Sequence, residues 1–398
     1  MQFLRLLLCA SAAALATPYA TADGILDVFP LGERGRLERV NRKLGGTVLD
    51  YTNNHGRDNR IWSRSLCQWR NVYVYVPPGY DGTTQFPVML WLHGLAHNEK
   101  HFLDVAHLFD EGIRGGTFPP TVIVVPDSSL RGRLSPLNNG SFYMNTKAGN
   151  FEDYIARDIW SWTLQTFAVR PERDAHLIAG ASMGGYGAFN LAFKHKELFG
   201  QIVGIMPGLD SQYSDCRGRY FADYDPNCVG RRDEFRRRDV IGRFYGIILV
   251  RQGRVLDPLF GRFNKIPMDV IRANNPIEML SIYDVRPEEF NMFIAYGTKD
   301  EFNIDAQVEH FLDVAARRGI RPTVLRMEGA RHNVTDGVKS FPAMSRWLCE
   351  RFAPYVPVGY QPMQCCRSEI RAQPLTAGTV RPLYLSPLPT SPGTLALR

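Results

Sequence analysis

Leu177-Ile178-Ala179-Gly180-Ala181-Ser182-Met183-Gly184-Gly185-Tyr186-Gly187-Ala188 joins a short apolar run to a helix-compatible stretch through a serine set between glycines. Gly180, Ser182 and Gly184 fit G-x-S-x-G. The flanks supply the strand–turn–helix setting that a nucleophile elbow requires. The spacing has a physical reason. The turn strains the serine backbone, and side chains at the flanking positions would meet the adjacent strand and helix. The helix that follows, through Phe189-Asn190-Leu191-Ala192-Phe193, aims its free N–H groups and positive dipole end at the serine oxygen.

Working outward, unbroken apolar runs recur at Val88–Leu92, Val122–Val125, Ile202–Ile205, Met292–Ala295 and Thr323–Met327. Such runs suit strands buried on both faces of a parallel sheet. Val72–Val76 alternates and is stopped by Pro77-Pro78-Gly79; Thr47–Tyr51 reads as a further strand. Helical spacing sits between them. Ile155, Ile159 and Trp162 recur within 151–167, and Val308, Phe311, Leu312 and Ala315 within 305–318, closed by Gly319. The alternation predicts an α/β fold with a mainly parallel central sheet flanked by helices.

A serine hydroxyl is a weak nucleophile near neutral pH, so it needs a base, and the base an orienting carboxylate. After an elbow of this type the order is serine, acid, histidine. His332, in Gly329-Ala330-Arg331-His332 after an apolar run, is the expected base; His310 lies off its helix stripe and reads as a solvated residue. Asp300, at the end of the run that opens at Met292, is the expected acid, with Glu301 and Asp305 as competitors. Two preorganised donors should hold the oxyanion: the Met183 N–H, and the Leu95 N–H from the loop after Leu90-Trp91-Leu92-His93-Gly94. His93 reads as a structural hydrogen-bonding residue beside that loop.

Length and composition set the frame. The 398 residues, 44% hydrophobic and 22% charged, exclude wholesale disorder and a polytopic membrane protein. The formal charge of +7 gathers in part at Arg231–Arg243. That cluster carries no aromatic interleaving and no nucleic-acid module, so no nucleic-acid partner is expected. It reads as a solvated insertion paired with Asp233, Glu234 and Asp239, or as a site for an anionic substrate, polyanion or lipid. His97 and His101 stand at i, i+4 with Glu99 between them, but not in HExxH order. They read as helix-surface residues, and neither metal nor cofactor is expected.

Residues 1–22 read as a secretory signal, with Arg5, an apolar run at Leu6–Ala16 and Ala20-Thr21-Ala22 as cleavage site. Its removal near Ala22 would leave a secreted or periplasmic chain without a transmembrane segment, at a charge of +6. Six cysteines would then remain: Cys67, Cys216, Cys228, Cys349, Cys365 and Cys366. The even count points to disulfides, with Cys216–Cys228 across a short polar loop the expected pair. The expected organisation is an N-terminal extension over 23–45, a catalytic domain over 46–352 with an insertion at about 208–268, and a proline-rich tail over 353–398. Asn139-Gly140-Ser141 and Asn333-Val334-Thr335 match the glycosylation sequon.

The combination is similar to a known family. Phe142 through Tyr154-Ile155-Ala156-Arg157-Asp158 to the elbow, Val74–Tyr80, His93-Gly94, Asp300-Glu301-Phe302 and His332 together resemble the esterase D and feruloyl-esterase family. That family also holds S-formylglutathione hydrolases and antigen 85-type mycolyltransferases. The resemblance runs from about Thr47 to Phe352. It implies an α/β-hydrolase fold, no cofactor, and ester cleavage or acyl transfer through an acyl-enzyme, with Ser182, Asp300 and His332 as triad. The signal, the Arg- and Cys-bearing insertion and the tail depart from the family pattern. The leading expectation is an exported serine esterase acting on short-chain or aryl esters, possibly of carbohydrates. An acyltransferase using the same triad, and a non-catalytic binding module using the basic insertion, are the alternatives.

Overall fold

The computed structural model describes residues 35–132, 140–262 and 268–360. Eight strands form one sheet: β1 (Thr47–Tyr51), β2 (Val72–Val76), β3 (Val88–Leu92), β4 (Val122–Pro126), β5 (His176–Ala181), β6 (Gln201–Ile205), β7 (Asn291–Gly297) and β8 (Thr323–Met327). Their spatial order is β1-β2-β4-β3-β5-β6-β7-β8. β2 runs antiparallel to both β1 and β4, and from β4 onward every neighbouring pair is parallel. This is the mainly parallel sheet read from the apolar runs, and β2 to β6 are buried along almost their whole length.

Helices cover both faces. Alternate residues of β2 divide between them: Val72, Val74 and Val76 enter one core, Tyr73 and Tyr75 the other. The first core lies under the helical stretch 151–166, α2 (Met183–Lys194) and α3 (Ile304–Arg317); the second lies under α1 (Phe102–Arg114) and α4 (Phe341–Phe352). Each fully buried Val, Leu or Phe in these layers contributes roughly 1.5–3 kcal/mol relative to exposure. The stretch 151–166 differs from the uniform α-helix expected, because Tyr154–Ile159 widens into a π-helix.

The chain order reverses around β3. From β3 it passes through α1 to β4 on one side, and later returns to β5 on the other. The carboxyl ends of β3 and β5 therefore flank the topological switch point, where open α/β sheets place their ligands. Leu92-His93-Gly94 leaves β3 there, and Ala181-Ser182 leaves β5.

The domain edges extend past the expected boundaries. Arg36–Asn41 is helical and buries Leu37, so part of the N-terminal extension belongs to the fold. At the other end Tyr360 packs edge-on against Phe86 and donates its hydroxyl to the Pro78 carbonyl, so the tail begins as docked chain. The signal, the Asn139 side of the first sequon, Cys365 and Cys366 lie outside the described residues.

Between β6 and β7 the insertion is built from small ladders. Tyr213–Asp215 pairs with Val229–Arg231, and Val240–Phe244 pairs with Ile248–Arg251. Cys216 and Cys228 are disulfide-bonded beside the first ladder, and the backbone N–H of Cys216 donates to the Cys228 carbonyl. Cys67 is a free, exposed thiol.

Candidate active site

Ser182 sits between β5 and α2 with φ 56° and ψ −117°, a conformation that costs a non-glycine residue strain. Two hydrogen bonds and two glycine contacts hold it. Its N–H donates to the Ile205 carbonyl at 2.8 Å, and its carbonyl accepts from Tyr186 N–H at 2.9 Å. A Cβ on Gly184 would overlap the Leu92 carbonyl, and one on Gly180 would overlap the Gly184 carbonyl. Those two positions bring the elbow against β3, and only glycine allows that approach.

Ser182 Oγ–H donates to His332 Nε2 at 2.8 Å, and His332 Nδ1–H donates to Asp300 Oδ2 at 2.7 Å. The Asp300 side chain is completely buried, and it also accepts the Phe302 N–H at 2.8 Å, which fixes the carboxylate. Asp300 follows β7 and His332 follows β8, so adjacent parallel strands deliver the two groups side by side. Burial works to lower the basicity of the His332 imidazole, but the Asp300 charge and hydrogen bond, with the Glu301 charge, outweigh it. Its pKa is raised above the ordinary histidine value. The Phe302 ring meets the imidazole edge-on at 4.9 Å.

Glu301 takes a part that the sequence reading missed. One carboxylate oxygen accepts the His332 backbone N–H at 2.8 Å and the other accepts Arg331 Nε at 2.7 Å. It ties the loop after β8 to the loop after β7. Asp305, the other competing acid, stands in the first turn of α3, away from the imidazole's hydrogen bonds. Burial and the Asp300 charge push its carboxyl up to about 6. His310 is not solvated as expected: Nδ1 bonds Asp210 Oδ2 at 2.8 Å and the ring stacks on Tyr224. The helix stripe was read correctly, but the insertion covers the flank on which His310 stands.

The loop after β3 runs beside the serine. A Cβ on Gly94 would lie 3.7 Å from Ser182 Cβ, which sets the Gly94–Leu95 peptide against Ser182. His93 braces this loop from within: Ser128 N–H donates to Nε2 at 2.9 Å, and Nδ1–H donates to the Gly94 carbonyl at 3.0 Å. Tyr143 O–H donates to the His93 carbonyl at 2.7 Å. Among the described residues the Met183 and Leu95 N–H groups make no hydrogen bond outside the helix, which leaves both available to a ligand.

Of His97, Glu99 and His101 only Glu99 is fully buried, and the two histidines are half-buried. The two imidazoles stack at 4.0 Å, and burial holds them neutral, with pKa values near about 3 and about 4. Glu99 is fully buried and accepts from Asn54 and Asn71, each at 2.9 Å. Burial and nearby Asp127 push its carboxyl up to about 8. The polar pattern of this loop faces inward because it caps the open end of the sheet. No residue-type signal distinguishes that from a solvated face.

Residues 63–241 match the esterase family, described as "Putative esterase". The matched stretch carries the loop after β3 and the whole elbow. The chain is also similar in fold to several solved hydrolases. A ferulic acid esterase superposes with a TM-score of 0.55 at 15% identity, covering 78% of this chain and 100% of the other. An S-formylglutathione hydrolase from Agrobacterium tumefaciens gives 0.54 at 17% identity, covering 77% and 96%. The Staphylococcus aureus fluorophosphonate-binding serine hydrolase F, in a substrate-bound structure, gives 0.53 at 14% identity, covering 76% and 98%. At these identities the likeness establishes the α/β-hydrolase fold. Just under a quarter of this chain lies outside each superposition.

Proposed function

We propose that the chain is an exported serine esterase that hydrolyses carboxylic esters through an acyl-enzyme. The observation that carries this reading is the hydrogen-bonded chain Ser182–His332–Asp300 at a strained elbow. Ser182 Oγ attacks the ester carbonyl while His332 Nε2 takes its proton. Asp300 holds the Nδ1–H tautomer and stabilises the imidazolium that forms. The Met183 and Leu95 N–H groups donate to the oxyanion, and each such donor is worth about 10²–10³ in rate. His332 then protonates the leaving alcohol and activates water, which releases the acid and frees Ser182. No cofactor enters this sequence. Short-chain acyl or aryl esters, carbohydrate esters among them, are the proposed substrates, and the apolar residues 1–22 are the proposed export signal.

The test is hydrolysis of p-nitrophenyl acetate, butyrate and octanoate, and of methyl ferulate, beside Ser182→Ala. The expected result is turnover of at least one ester that falls by about 10⁴–10⁶ in the variant. New ester on an added sugar, in place of free acid, would turn the reading to acyl transfer. Turnover unchanged in Ser182→Ala would overturn the serine mechanism.

A further inference from the structure

The hairpin Val240–Phe244/Ile248–Arg251 ends in an apolar tip that is largely open among the described residues, with only Arg331 lying over Tyr245. Ile247 is 82% exposed and Tyr245 60%, and Ile248 and Leu249 are also exposed. Tyr245 and Gly246 both have positive φ, so the turn is a tight one that projects these side chains outward. Consecutive residues of a strand point to opposite faces, so Ile248 and Leu249 make the tip apolar on both sides. A strand shielded on one face by its own protein would not read this way.

The hairpin and the chain on either side of it are rich in arginine, with Arg243 across the ladder from Leu249 and Arg251 across from Val240. From Arg231 to Arg254 the chain has eight arginines against three acids, Asp233, Glu234 and Asp239. Arg231, Arg236 and Arg237 have carboxylate partners in Glu278, Glu234 and Asp257. Arg238, Arg243, Arg251 and Arg254 make no ion pair among the described residues; Arg243 instead lies over the Phe221 ring, and Arg251 donates to the Arg238 carbonyl. An apolar tip with Arg243 beside it and Arg238 and Arg251 at the base of its hairpin matches a surface that is apolar inside and anionic at its rim. A bilayer of anionic lipid has that layering. The proline-rich residues 361–398 do not complement it, with four arginines against one glutamate.

The base of the hairpin is tied to the candidate site. Arg243 N–H donates to the Glu301 carbonyl at 2.9 Å, Phe244 meets Phe302 edge-on at 5.2 Å, and Arg331 lies over the Tyr245 ring. Glu301, Phe302 and Arg331 are neighbours in sequence of Asp300 and His332. We infer that the tip Tyr245–Leu249 and these arginines dock the protein on an anionic phospholipid surface. The docked face then lies beside the loops that carry Asp300 and His332. The inference rests on surface chemistry and is independent of the reaction proposed above.

The experiment is co-sedimentation of the full chain with vesicles of phosphatidylcholine alone and of phosphatidylcholine mixed with phosphatidylglycerol. Three variants accompany it: Ile247→Ser/Leu249→Ser, Arg238→Gln/Arg251→Gln, and the untouched-surface control Lys43→Gln. Thermal melts check that each is folded. Binding to the mixed vesicles is expected to exceed binding to phosphatidylcholine, to weaken about tenfold in the first two variants, and to weaken with added salt. Equal binding to both vesicles, or binding unaffected by the first two variants, would overturn the inference. So would concentration-dependent dimerisation abolished by Ile247→Ser/Leu249→Ser, since a second copy would then own the patch.

Discussion

The two walls of the candidate site are built by opposite means. On the scaffold side, Ser182, Asp300 and His332 stand at the ends of β5, β7 and β8, and their positions follow from strand register, glycine contacts and a fully buried carboxylate. On the insertion side, two-stranded ladders, one disulfide and a small apolar cluster of Phe235, Leu259 and Phe260 against Met144 and Tyr186 do the holding, with exposed arginine pairs outside it. Exposed pairs of that kind are worth about 0–1 kcal/mol each. The contrast teaches where chemistry and selectivity reside. The scaffold holds the Ser182, His332 and Asp300 side chains in hydrogen-bonding contact, and the insertion touches the loop after β7 beside them, where sequence is freer to vary.

Perturbing the scaffold wall should hurt most. Asp300→Asn keeps the size of the side chain but loses the charge that selects the Nδ1–H tautomer. The ester hydrolysis rate should fall by about 10³–10⁴ with the melting temperature nearly unchanged. In the parent protein the rate should fall as pH drops through a value above about 6.5, because His332 must be neutral to take the proton and Asp300 raises its pKa. A rate profile whose acid limb lies below that value would break the electrostatic half of the comparison.

Gly184→Ala attacks the geometry instead. Its Cβ would overlap the Leu92 carbonyl, backbone that cannot move without shifting β3, so a loss of at least about 3 kcal/mol is expected in denaturant unfolding. A variant as stable as the parent would mean that the elbow is not pressed against β3.

How far the sequence carried this reading varies by element. The elbow was legible because G-x-S-x-G between an apolar run and a helical pattern has one structural solution. Asp300 and His332 were legible because each follows a buried strand in the required order. Glu301 was not, since its work is to hold the His332 backbone, a contact 31 positions away in sequence. Glu99 and His310 were misread for a common reason. Hydropathy patterning marks which face of a segment is polar, and here other segments close over that polar face: Asn54 and Asn71 donate to one Glu99 oxygen, and Asp210 bonds His310.

Perturbing the insertion wall should cost less and spare the chemistry. Cys216→Ser/Cys228→Ser opens a loop closed across a separation of 12 residues, worth about 2–3 kcal/mol in the chain-entropy account. Thermal unfolding should report that loss locally, while hydrolysis of a small ester such as p-nitrophenyl acetate should stay within about threefold of the parent. Loss of small-ester turnover comparable to that of Asp300→Asn would show that the insertion builds the site as well as covering it.

The effect on the reaction should be smallest at Glu99, whose change is read in stability alone. Its folded pKa of about 8 lies above the ordinary carboxyl value, so the folded state holds the proton longer than the unfolded chain does. The Glu99 contribution to stability should therefore be full below about pH 4 and be lost as pH rises through the raised value. Glu99→Gln should flatten that slope, as denaturant midpoints at several pH values would show.

The central claim is that Ser182 is a nucleophile activated by His332. Intact-mass measurement after treatment with an alkyl fluorophosphonate, followed by peptide mapping, tests it most directly. The account predicts one adduct, on Ser182, formed much more slowly in a His332→Ala variant. A protein that stays unlabelled, or that labels equally well with Ser182 replaced by alanine, would contradict it.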